Sequence, residues 1–176
     1  MRFVDLLRMT VLLCGGAATT LAVVCVVGAT RDGDEQLVVF ATAWWLIAAI
    51  LGSFLGRRHE ASPPIARLLA DSKAATMMPE LRPGAVVLNR LWPLLVATLL
   101  ATALAFLAPQ VPGIAAGFTI LWALAWRRQD HAVVAIEERD GVQFYVERTS
   151  PLKPVVLVRV PGLRREVPLL DGVPRP

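Results

Sequence analysis

The sequence predicts an α-helical integral membrane protein: four transmembrane helices in two hairpins, carrying a small cytoplasmic antiparallel β-meander. Three observations support this class. With 56% hydrophobic residues, 18% charged residues and a mean hydropathy of +0.58, the chain is far more apolar than an ordinary soluble domain. Its apolar residues are gathered into blocks of membrane-crossing length. When those blocks are taken as spans, 17 of the 18 Lys and Arg residues fall on one side and Arg31 alone falls on the other.

The clearest block is Val38 to Gly56, nineteen residues without a charge, which ends against Arg57 and Arg58. At about 1.5 Å per residue it covers roughly 28 Å, close to the ~30 Å hydrocarbon core of a bilayer. No water is present there to satisfy backbone amides, so the run must be helical. A first span covers about Met9 to Gly28; its apolar run is longer than the roughly 7 to 15 residues of a signal-peptide core, despite the basic Arg2 and Arg8 before it. The third span is set at Leu91 to Ala108, with Pro93 in its first turn. The fourth, about 111 to 128, is the weakest, because its strictly apolar stretch from Ile114 to Trp126 is thirteen residues long. An even number of spans with basic residues inside places both termini in the cytoplasm, beneath a plasma membrane of bacterial type.

Small residues recur four apart within the spans, which lets helix backbones approach closely. They are Gly15 with Thr19 and Gly16 with Thr20 in the first span, Ala48, Gly52 and Gly56 in the second, Ala97, Ala101 and Ala105 in the third, and Gly113 and Gly117 in the fourth. Their partners are other spans of the chain or another copy. Arg57, Arg58, Trp92, Trp122, Trp126, Arg127 and Arg128 are the expected interface anchors, with charged heads or indoles reaching toward water. Trp44 and Trp45 would join an aromatic belt if the second helix began near Gln36.

The chain thus divides into a first hairpin (1–56), a cytoplasmic loop (57–90), a second hairpin (91–130) and a cytoplasmic C-terminal segment (131–176). In the loop, Pro63-Pro64 opens a short amphipathic helix with Ile65, Leu68 and Leu69 on one face. It lacks the basic polar face of a membrane-surface helix, so packing on the C-terminal segment is favoured over lying on lipid. In that segment His131 to Glu137, Val142 to Glu147 and Val155 to Val160 read as strands, with Asp140-Gly141 as a hairpin turn and Glu166 to Pro176 irregular. So small a segment sits near the limit of independent stability and must lean on something else.

Chemistry-bearing residues are sparse. Cys14 and Cys25, eleven positions apart on one helix, are separated by roughly 16 Å, too far for a disulfide. His59, Glu60 and His131 are a weak metal set, and Asp32, Asp34 and Glu35 lack the rest of a calcium loop. The apolar stretches of the four spans hold no Asp, Glu, Lys, Arg or His, the fourth reaching Arg127 and Arg128 only at its end, which disfavours a proton or ion relay. No Lys/Arg block exceeds two residues, which disfavours nucleic acid. The expectation is a non-enzymatic protein without a cofactor, held in the lipid bilayer, whose cytoplasmic face docks a protein partner or forms a homo-oligomer. An oligomeric pore or transporter component is the alternative. A cysteine introduced at Gly33 is then expected to react with a membrane-impermeant maleimide from outside, while a C-terminal reporter stays cytoplasmic; a C-terminal reporter active only outside would mean that the fourth span does not cross.

Overall fold

Two residues suffice to turn the chain between its first two helices. In the computed structural model, which describes residues 1–57, 61–74, 83–147 and 155–161, α1 (Phe3–Asp32) ends on Gly33 at φ 68 and α2 (Glu35–Leu55) starts from Asp34. Glycine carries no β-carbon penalty in that left-handed conformation. The Asp34 carboxylate accepts the Leu37 N–H at 3.0 Å, which satisfies one of the open donors at the start of α2. The remaining elements are α3 (Pro63–Ala70), β1 (Lys73–Ala74), α4 (Pro83–Leu104), α5 (Gln110–Trp126), α6 (Gln129–Asp140), β2 (Val142–Val146) and β3 (Leu157–Pro161).

Three helices, α1, α2 and α4, are long and apolar enough to cross a membrane. The 17-residue α5 measures about 26 Å. It packs along both α1 and α2, whereas the sequence neighbours α1 and α2 meet over a short stretch, as do α4 and α5. The helix with the weakest sequence signal is therefore the central one, and α4 rests mainly against α1.

α4 starts at Pro83, ahead of the expected Leu91, and leaves Pro93 in the helix interior. Pro83-Gly84 resembles a chain break in sequence, yet proline fits a first helical turn because its missing N–H has no partner there anyway. The helix also stops at Leu104 instead of Ala108. Ala105, Phe106 and Leu107 donate to carbonyls three residues back at 3.2, 3.4 and 3.0 Å, a tightening that ends the helix before Pro109.

At 30 residues α1 is about 45 Å long, well beyond a ~30 Å hydrocarbon core. Its first turns enter a separate apolar cluster: Phe3, Val4, Leu6 and Leu7 are buried together with Ile65 and Leu69 of α3, Val133 of α6, and Phe144, Val146 and Leu157 of the sheet. We call this end of the molecule the cap. α3 is shorter than its sequence pattern suggests, stopping at Ala70, and it packs its Ile65–Leu69 face on the chain's own sheet and α1.

The cap sheet is mixed, in the order β1-β3-β2, where an antiparallel meander was expected. β2 and β3 pair antiparallel with Tyr145 opposite Val158, and β1 pairs parallel to β3 through Lys73 and Ala74. The expected first strand, 131–137, is part of α6. Its apolar run from Ala132 to Ile136 has no clean alternation, and periodicity cannot separate a strand from a buried helix in so short a run. The end groups decide it: Asp130 lies in the first turn and Arg139 in the last, complementing the helix dipole, and Gly141 closes the helix at φ 63 by donating its N–H to the Glu137 carbonyl. Gly141 thus serves as a helix cap instead of a hairpin turn. Arg58 and the tail Glu166 to Pro176 lie outside the described residues.

Gly141→Val is expected to destabilise the cap by about 1–2 kcal/mol, the cost of a β-carbon in the left-handed region, while Gly141→Asn costs much less. Protease resistance of residues 131–147 in isolated membranes reads this difference; equal resistance of the two variants would remove the capping argument.

Candidate functional site

The helix contacts are made by backbone. A β-carbon added at Gly52 would stand 2.8 Å from the Leu121 carbonyl oxygen and 3.0 Å from the Leu124 β-carbon, and one at Gly56 would overlap the Leu124 carbonyl. On α5, Gly113 leaves room for the Cys25 sulfur, which a β-carbon would approach to 2.8 Å, and Gly117 is filled by the Trp44 indole. Ala48 and Ala116 are fully buried. Two hydrogen bonds lock this seam: the Trp45 indole N–H donates to the Gly113 carbonyl at 2.8 Å and the Trp44 N–H to the Ile114 carbonyl at 3.2 Å. Trp44 also meets Phe118 edge-on, with centroids 5.5 Å apart. Both indoles are turned onto α5.

The other small residues are placed differently. Nothing lies within 4 Å of a β-carbon built on Gly15 or Gly16. Ala97 is exposed, Ala105 is half-buried, and Ala101 packs with Leu21 and Ala116. Threonine hydroxyls in the helices bond their own backbone, as Thr19 does to Gly15 and Thr20 to Gly16, both at 3.0 Å.

Where bundle and cap meet, charged residues form the fastening. Arg2 Nη2 donates to Glu137 Oε2 at 2.7 Å, and Glu137 Oε1 accepts the buried Phe144 N–H at 2.9 Å. Both oxygens of a carboxylate only 5% exposed are therefore committed to protein donors. The hydrogen bond to Glu137 also pushes the Arg2 guanidinium pKa upward. Arg8 Nε meets Asp130 Oδ2 at 2.9 Å, and the Gln129 side chain accepts the Ser62 N–H at 2.9 Å. The N-terminal residues extend the sheet, because Val146 donates its N–H to the Met1 carbonyl at 3.0 Å and Arg2 bridges to Tyr145.

None of Arg2, Arg8, Gln129, Asp130 and Glu137 stands among the residues singled out from sequence; the basic pair was read only as an orientation signal. One clue was present. Asp130 and Glu137 are seven positions apart, two turns on one face of a helix, but the segment was read as a strand.

Of the expected interface anchors, Arg57 places its guanidinium 5.8 Å from the Phe54 ring centre. Trp122 and Trp126 lie 5.8 Å apart with tilted rings, Arg127 and Trp92 are exposed, and Arg128 is half-buried ahead of α6. His131 is exposed, 3.9 Å from Asp130 Oδ1, and its suggested companions His59 and Glu60 lie outside the described residues. Among the described residues no three His, Cys, Asp or Glu side chains gather as a metal site. Cys14 and Cys25 are both buried and free. No family profile, curated protein or solved structure matches this chain.

Gly117→Ala forces a methyl group into the space of the Trp44 indole and is expected to lower stability by about 1–3 kcal/mol, as overpacking does. Gly16→Ala, which meets nothing, should leave the detergent melting temperature unchanged or slightly higher. Equal melting of the two variants would contradict the seam described between α2 and α5.

Proposed function

We propose that the chain is a four-span integral membrane protein with both termini cytoplasmic, and that it works without catalysis: its cytoplasmic cap docks a protein partner or a second copy, as a membrane scaffold or accessory subunit. The observation that carries this reading is the construction of the cap. Residues 1–7, α3, α6 and the sheet share one apolar cluster, and the pairs Arg2–Glu137 and Arg8–Asp130 tie it to the base of the helices. A platform held in this way presents a fixed surface, which lowers the ordering cost of binding. β1 forms an edge of the sheet among the described residues, and Lys73 and Ala74 are exposed, leaving backbone groups for an added strand.

Support for α5 as the fourth span comes from its position and its end. It lies against two helices of crossing length, and Trp126, Arg127 and Arg128 follow its apolar stretch at the level where indoles and snorkelling arginines sit. The oligomeric-pore alternative draws less support. Gly52, Gly56, Gly113 and Gly117 are occupied by contacts within the chain, and the outer face of α2 offers Phe40, Leu46, Ile50 and Phe54, an apolar surface with nothing to line a water path.

A photo-crosslinking residue at Arg67 or Lys73 should give a discrete protein adduct of one mass in intact membranes, and one at Phe40 should give lipid adducts. Arg31→Cys, chosen to spare the left-handed Gly33, should be labelled from outside. Reconstituted liposomes should show no conductance. A steady current together with no cap adducts would replace docking by the pore reading.

A further inference from the structure

Near the cap, α1, α4 and α5 leave a groove of about 330 Å³ whose walls include Val11, Cys14, Leu94, Phe118, Trp122 and Trp126. Val11 and Trp126 are also walls of a second cavity of about 280 Å³, which Arg8, Arg127 and Asp130 line. An apolar slot thus adjoins, across Val11 and Trp126, a pocket with two guanidinium groups and one carboxylate. Arg8 is half-committed, through Nε, to Asp130. Arg127 is exposed and makes no ion pair among the described residues.

The polar groups along the slot divide into satisfied and unsatisfied. The Thr10 and Thr119 hydroxyls donate to carbonyls of their own helices, both at 2.8 Å. The Trp122 and Trp126 indoles have no acceptor among the described residues, in contrast to Trp44 and Trp45, whose N–H groups end on α5 carbonyls. An indole N–H in an apolar setting needs an acceptor, and a wet or ester-rich layer normally provides it. One occupant matches the slot, the indoles and the arginines: an acyl chain for the first, ester oxygens for the second and a phosphate for the third, with Asp130 turned to Arg8.

We propose that this groove is a phospholipid site, with one acyl chain between α1, α4 and α5 and the phosphate against Arg127 and the free edge of Arg8. The proposal rests on the membrane reading above and adds a specific lipid to it. A lipid held there would fill the gap between α4 and α5 and bridge the helices to the cap, since Arg8 and Asp130 belong to both.

The test uses the full-length chain in detergent micelles with two photoactivatable lipids of identical acyl chain, one phosphatidylglycerol and one diacylglycerol. Adducts of the phosphatidylglycerol should concentrate on Leu94, Phe118 and Trp122 and exceed those on Leu46 and Ile50 of the outer α2 face. Arg127→Gln should weaken this labelling about ten-fold, equivalent to about 1.4 kcal/mol, and leave the diacylglycerol unaffected. Leu94→Trp should abolish groove labelling by both lipids; if it unfolds the protein, Thr119→Leu occupies the same slot with a smaller change, and the Arg127→Gln comparison stands by itself. Equal labelling of the groove and of α2, or of wild type by both lipids, overturns the site and leaves the membrane reading intact. Disulfide cross-linking between two copies of a Leu94→Cys variant would assign the groove to a second copy and overturn it as well. No lipid adducts at either place would overturn the membrane reading itself.

Discussion

Everything in the bundle depends on how closely the backbone of α5 can lie against its neighbours. At Gly52, Gly56, Gly113 and Gly117 the space that a β-carbon would take is already occupied by a carbonyl, a sulfur or an indole. In lipid, hydrophobic burial gives no drive toward helix association, so contact area and interhelical hydrogen bonds determine which helices pair. The two indole bonds to the Gly113 and Ile114 carbonyls act at the same seam, and together these contacts place α5 beside both α1 and α2. The chain order α1, α2, α4, α5 is therefore not the contact order.

The same seam explains what sequence could and could not reveal. Val38 to Gly56 was readable as a helix because no charge interrupts it, and α2 runs Glu35–Leu55. α5 looked marginal because length was the criterion, whereas its place is determined by small residues whose partners lie roughly 70 positions away, as with Trp44 and Ile114. Local rules misled at two points. Pro93 is expected in the first turn of the third span, yet Pro83 opens α4 and Pro93 lies in its interior, and Gly141, expected in a hairpin turn, caps α6. In both cases the residue type was diagnosed correctly as special, and the neighbouring element decided which special role it took.

The cap polar residues were unreadable for a different reason. A charge count treats Arg2 and Arg8 as interchangeable with the other basic residues, because orientation depends on sums. Their structural roles depend on Glu137, 135 positions from Arg2, and on Asp130, 122 positions from Arg8. Removing Glu137 would leave the Phe144 N–H buried without an acceptor and the Arg2 guanidinium without its carboxylate partner, so one buried side chain holds both the sheet and the start of α1.

The pairing of Met1 and Arg2 with β2 also fixes an order of events during synthesis. A ribosome makes the chain from its N-terminal end, so Arg2 has emerged long before Tyr145 and Val146 exist to receive it. Until that stretch is made, the first turns of α1 expose Phe3, Val4, Leu6 and Leu7, the apolar residues that the finished cap covers. Closure of the cap therefore waits for β2, and a chain that stops short of it carries an uncovered apolar end.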